Sequence, residues 1–187
     1  MVFIVSVIVW GLIGIIALVV LYIVITFNSL IMLKNRVENA WSQIDVQLKR
    51  RYDLIPNLVN TVKGYMRHEK GTLTELTKMR SQLISGSMNQ KAKASDMITN
   101  ALKSLFAVAE NYPKLQASEN FKMLQEELSG TESKIAYARQ FYNDNVMNLN
   151  NKIQQFPSSI IANMLKFSQK EFFKTEESER KPVKVEF

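Results

Sequence analysis

The chain has 187 residues, 24 Lys and Arg against 17 Asp and Glu, a formal charge of +7 and no cysteine. It can therefore hold no disulfide and no thiolate-bound metal. With a single histidine, a zinc site would need three carboxylates, an uncommon donor set for that ion.

The first predicted element is a membrane anchor. No charged side chain occurs between Val2 and Leu33, and "VFIVSVIVWGLIGIIALVVLYIVITF" is almost wholly aliphatic or aromatic. As a helix that run is about 39 Å long at 1.5 Å per residue, enough to cross a hydrocarbon core of about 30 Å. A cleaved signal peptide needs a basic leader, a shorter apolar run and a small-residue cleavage site, and none is present. Residues 1–33 are thus expected to be an uncleaved span, with the lipid bilayer as first partner. Lys34 and Arg36 follow the run and are the expected membrane-interface residues, with Lys49, Arg50 and Arg51 beyond them. The positive-inside rule then puts the N-terminus outside and residues 34–187 in the cytoplasm, with 34–174 as a helical domain.

The charge excess is juxtamembrane, without a concentrated basic stripe or a helix-turn-helix, RRM or finger pattern. Nucleic acid is therefore not an expected partner.

From Val37 onward apolar residues recur at spacings of three and four. Every seventh residue from Trp41 gives Leu48, Ile55, Val62, Glu69, Leu76 and Leu83. The pattern predicts one long amphipathic helix, or two in phase. Unbroken phase across Pro56 favours a kinked helix over a fresh start, with the Tyr52 carbonyl freed four residues back. Gly71 and the Thr72-x-x-Glu75 capping box mark a second candidate interruption.

"SGSMNQ" (85–90) reads as a polar loop, and a helix is predicted over 92–110, stopped by "NYPKLQAS". The next helix is predicted over 119–155, with the seven-residue series Phe121, Leu128, Ile135, Tyr142, Leu149, Phe156 and a weak point at Gly130. Pro157 ends it, and Ser158 or Ser159 caps a short helix to about 167. The charged tail 175–187 reads as extended. No segment reads as a strand, so the class is all-α with coiled-coil-like packing. The lengths clash: a helix from 34 to 83 is about 75 Å long, against about 30 Å and about 55 Å for the next two. Either it bends sharply or part of it projects toward a partner.

Catalytic constellations are scarce. His68 sits in a charged turn, "HEKGT" is not H-E-x-x-H, and no phosphate-cradling glycine loop occurs. Neighbouring Glu126 and Glu127 point in different directions on a helix. The inventory offers no catalytic, cofactor or metal site. The candidate interaction residues are instead Val37, Trp41, Ile44 and Leu48, an apolar seam emerging from the span.

Four stretches carry a family resemblance: "NRVENAWSQIDVQLKRRYDLIPNLVNTVKGY" (35–65), "LFAVAENYPKLQASENFKMLQEEL" (105–128), "IAYARQFYNDNV" (135–146) and "FPSSIIANM" (156–164). They resemble the bacterial LemA family over almost the whole chain. The resemblance implies an N-terminal transmembrane helix followed by an antiparallel bundle of about four long helices, in the bacterial cytoplasmic membrane with the N-terminus outside. It implies no enzymatic activity and no cofactor. Arg50, Arg51, Asp53, Pro56 and Asn57 match the family's most distinctive stretch, whereas Gly130 departs from a region usually kept strongly helical. The expected function is a scaffold or adaptor that self-associates as a homo-oligomer. The alternative is an adaptor or regulator of a membrane metalloprotease in membrane-protein quality control.

Overall fold

The computed structural model describes residues 2–66 and 70–173, except the side chains of Lys70 and Thr72. Its elements are all helical: α1 (Val2–Lys63), α2 (Lys70–Arg80), α3 (Gln82–Ser85), α4 (Met88–Ala109), α5 (Pro113–Gln116), α6 (Glu119–Gln154) and α7 (Ser158–Met164). Among the described residues there is no strand, as the absence of strand patterning predicts. His68 and the tail 175–187 lie outside the described residues.

The chain divides into two compact units. The larger comprises residues 40–142 together with Phe173. Its helix directions follow from side-chain pairs. Asp45 meets Lys91, and Arg51 meets Ser95 and Thr99, so α1 and α4 run the same way. Asp96 meets Arg139, Thr99 meets Glu132 and Phe106 meets Phe121, so α6 runs against α4. Arg80 reaches back to Tyr52, so α2 returns along α1. The order is up, down, up, down. Ile44, Leu48, Ile55, Leu58 and Val62 of α1 are buried with Leu76 and Leu83, Ile98 and Leu105, and Phe121, Leu128 and Ile135. This is the predicted stripe, closed on itself as a core.

Of the two expectations, one through-helix or separate helices in phase, the structure has separate helices: α1, α2 and, around Leu83, the short α3. α1 ends at Lys63, where Gly64 has low helix propensity and the amides of Tyr65 and Met66 both bond the Val62 carbonyl at 2.9 Å. The break removes the length conflict. Residues 40–63, α4, and residues 119–142 are then about 36, 33 and 36 Å long. The phase had survived the break because both segments serve one core. Of the predicted loop 85–90, only Gly86 and Ser87 separate α3 from α4. Ser87 caps α4 in a reciprocal capping box with Gln90. α6 passes through Gly130 without interruption.

The smaller unit comprises residues 2–39 and 143–172. Here Thr26, Leu30 and Val37 of α1 are buried, as are Val146, Leu149, Ile153, Ile161 and Ala162. The Phe156–Pro157 peptide bond is cis, and Pro157 holds the position before α7. Ser158 does not cap the helix; its hydroxyl lies 2.7 Å from the Lys152 carbonyl and 2.8 Å from that of Gln155. The returning chain is tied by Asn150, whose carboxamide donates to the Lys170 carbonyl and accepts from its amide. α1 is a helix long and apolar enough to cross a membrane.

Candidate functional site

The polar chemistry of the larger unit converges on Arg51. It stands between Leu48 and Ile55 on the apolar stripe, so the helix drives a cation into the core. The side chain is fully buried. One terminal nitrogen lies 3.2 Å from the Ser95 carbonyl, the Ser95 hydroxyl and the Thr99 hydroxyl. The other pairs with the Glu132 carboxylate on α6. Thr99 also lies 2.9 Å from that carboxylate and 3.0 Å from the Ser95 carbonyl. Its single proton can serve only one of them at a time.

A second buried pair lies close by. Arg139 of α6 donates to Asp96 of α4 at 2.8 Å, with both side chains at most one-tenth exposed. Its guanidinium also faces the Phe173 ring at 4.5 Å. Burial lowers the Arg51 guanidinium to about 10, Arg139 pushes the same way, and Asp96 opposes them. Arg51 therefore still carries its charge at neutral pH. Two cations and two carboxylates on three helices balance in a medium where an unpaired charge is expensive. Glu132 is the wettest member, with 36% of its side chain exposed. It borders a cavity of about 170 Å³ shared with Thr99, Leu102, Phe106 and Leu128.

Among the described residues no group of three His, Cys, Asp or Glu is placed to hold a metal. The one hydroxyl beside a carboxylate in this cluster, Thr99 at Glu132, shares that carboxylate with the Arg51 guanidinium.

Pro56 has a partner. α1 continues through it, and the Tyr52 carbonyl that it deprives of a helical donor accepts from Arg80 Nε of α2 at 2.8 Å. The same guanidinium lies 3.7 Å from the Tyr52 ring centroid.

The remaining sequence candidates scatter. Lys34 and Arg36 are exposed in the smaller unit, with Lys34 facing Glu38 at 3.9 Å. Val37, Ile44 and Leu48 are buried within the chain, and Trp41 is half-buried, its ring 5.7 Å from Tyr142 and 6.1 Å from Phe173. The chain's own helices thus cover this seam. Arg50 pairs with Glu127 across to α6, and Asp53 with Lys49 at 2.6 Å, all exposed. Asn57 is exposed, and its carbonyl accepts from Thr61 at 2.9 Å.

Sequence reasoning missed Ser95, Asp96, Thr99, Glu132 and Arg139. A signal existed: Ser95 and Thr99 stand on the stripe of Ala92, Leu102 and Leu105, and Arg139 falls between Ile135 and Tyr142. It also missed an open groove of about 390 Å³ between α1 and α6, formed by Val46, Gln47, Lys134, Tyr137 and Phe141. Tyr137 is 74% and Val46 63% exposed. The Gln47 carboxamide oxygen is buried there with no partner among the described residues.

Comparison with known proteins agrees with the four stretches quoted above. The LemA family model matches residues 40–187. Protein LemA of Metamycoplasma hominis is 29% identical over 161 residues, covering 83% of this chain and 72% of its own. Magnetosome protein MamQ 2 of Paramagnetospirillum magneticum is 22% identical over 184 residues, covering 84% of this chain and 68% of its own. Magnetosome protein MamQ of Magnetospirillum gryphiswaldense is 22% identical over 174 residues, at 79% and 64%.

Proposed function

The chain belongs to the LemA family, and on that premise we propose that it is a single-span, membrane-anchored helical scaffold without catalysis of its own. The observation that carries this reading is the α1–α6 groove. The groove sets three exposed large apolar side chains, Val46, Tyr137 and Phe141, beside one another. Aromatic residues are enriched where proteins bind one another. The groove is open, so its natural occupant is a protein segment, either a second copy of the chain or another membrane protein. The seam Val37, Trp41, Ile44 and Leu48 is already used inside the chain, so self-association falls to this groove.

A photo-crosslinking amino acid in place of Tyr137, in intact membranes, is expected to capture a protein band, and Tyr137→Glu to reduce recovery of the same complex through a crosslinker elsewhere. A band of two copies supports the homo-oligomer, and one containing a membrane metalloprotease supports the adaptor alternative. A chain that crosslinks to nothing removes the support for a scaffold.

The proposed orientation has the N-terminus outside the cytoplasmic membrane and residues after Leu33 inside, because Lys34 and Arg36 flank the span. A cysteine at exposed Lys114 gives a clean probe in a chain with none of its own. It is expected to resist a membrane-impermeant thiol reagent in intact cells and to react after lysis. Labelling without lysis reverses the orientation.

A further inference from the structure

The smaller unit carries an apolar surface that its own packing does not use. On the turn after α6, on α7 and just past its end, Phe156 is 82%, Ile160 61%, Met164 65% and Leu165 39% exposed. Phe156, Ile160 and Met164 are spaced by four, while Ile161 and Ala162 beside them are buried. The segment thus has an inward face that packs and an outward face that does not.

Position along α1 suggests what meets the outward face. A hydrocarbon core of about 30 Å takes about 20 helical residues, and residues 2–21 are exposed throughout. Burial begins at Ile23, which is half-buried, and is complete at Thr26 and Leu30. Protein cover within this unit therefore starts where a 20-residue span ends, at the depth of the headgroups. The cover is supplied by residues 143–172 of the same unit. Between its flanking acids Asp144 and Glu171, residues 145–170 contain Lys152, Lys166 and Lys170 and no acid, and Lys166 and Lys170 are exposed. Apolar side chains beside lysines, in a unit whose protein cover begins where a span leaves the bilayer, are the chemistry of an interfacial segment.

We infer that residues 156–165 insert into the interfacial layer of the bilayer leaflet through which α1 emerges, with anionic lipid headgroups meeting Lys166 and Lys170. This rests on the membrane-anchored reading above. The segment gives the chain a second attachment beside its span, and with it a fixed tilt of the emerging helix.

The test uses the full chain, reconstituted in vesicles of phosphatidylcholine and phosphatidylglycerol. Single cysteines at Ile160, Met164 and, as a water-exposed control, Lys114 carry an environment-sensitive fluorophore. At 160 and 164 the emission is expected to shift to the blue, lose intensity to lipids with a spin label high on the acyl chain, and resist iodide. The Lys114 probe should show the reverse. Probes at 160 and 164 that behave like the one at 114 overturn the inference, although the chain still floats with the vesicles. Protection from iodide without lipid quenching also overturns it, because a second copy then covers the face. A chain that does not float with vesicles overturns the anchored reading and this inference together.

Discussion

Replacing Asp96 with alanine is expected to destabilise the chain by about 3–5 kcal/mol, the range for breaking a buried ion pair from one side. Asp96 is 5% exposed and holds Arg139, which is 8% exposed. It also offsets the charge of Arg51, which burial and Arg139 both oppose. Removing it takes from Arg139 the carboxylate it pairs with and leaves Arg51 with Glu132 alone. A domain's whole stability is about 5–15 kcal/mol, so the loss is severe. The contrast is Glu127→Ala, which breaks the exposed pair with Arg50 and is expected to cost less than about 1 kcal/mol. Urea unfolding followed by helical circular dichroism, on the full chain in mild detergent, measures both. A further variant separates charge from packing. Asp96→Leu with Arg139→Leu removes both charges and should recover much of the loss, since apolar replacement of a buried pair is often neutral. A loss from Asp96→Ala no larger than that from Glu127→Ala would show that water reaches the cluster and that it does not pin the helices.

This cluster marks where the sequence stopped being legible. Helix identity could be read because a seven-residue apolar repeat reports its own buried face, and that face closed within the chain on Ile44, Leu48 and Ile55, the first two of them expected to meet a partner. The end of α1 could not, because α2 continues the phase of α1 into the same core and the repeat passes over the break. The role of the seam was open for a related reason. An apolar face looks the same whether its cover comes from the same chain or another, and here Tyr142 and Phe173, far along the sequence, close over Trp41. Arg51 was visible as part of a basic triplet, but its neighbours Arg50 and Lys49 are exposed. Only its place between Leu48 and Ile55 distinguished it. Which acids answer it depends on which helices adjoin α1, and a pattern along one strand of sequence does not contain that.

Arg80→Met is expected to cost about 1.5–3 kcal/mol for the lost charged hydrogen bond to the Tyr52 carbonyl, plus about 0.5–1 kcal/mol for the guanidinium over the Tyr52 ring. The methionine keeps the length of the side chain and most of its apolar stem, so packing changes little. The reason is specific to Pro56. In an ordinary helix the Tyr52 carbonyl would bond the amide at position 56, and proline has none. Arg80 Nε occupies that acceptor at 2.8 Å, so the helix breaker in α1 provides the docking point for α2. The pair should therefore be coupled. In a Pro56→Ala background the alanine amide can bond Tyr52 within the helix, and Arg80→Met should then cost at least about 1 kcal/mol less than in the parent chain. Four unfolding curves, from the parent, each single variant and the double, give this coupling directly. Costs that add to within about 0.5 kcal/mol would mean that Arg80 is held by the Tyr52 ring alone and that Pro56 only bends α1. A coupling of the expected sign ties the two helices through one carbonyl. It also explains how a proline is tolerated inside the helix that carries the buried arginine: the acceptor that it strands is satisfied by the helix packed beside it.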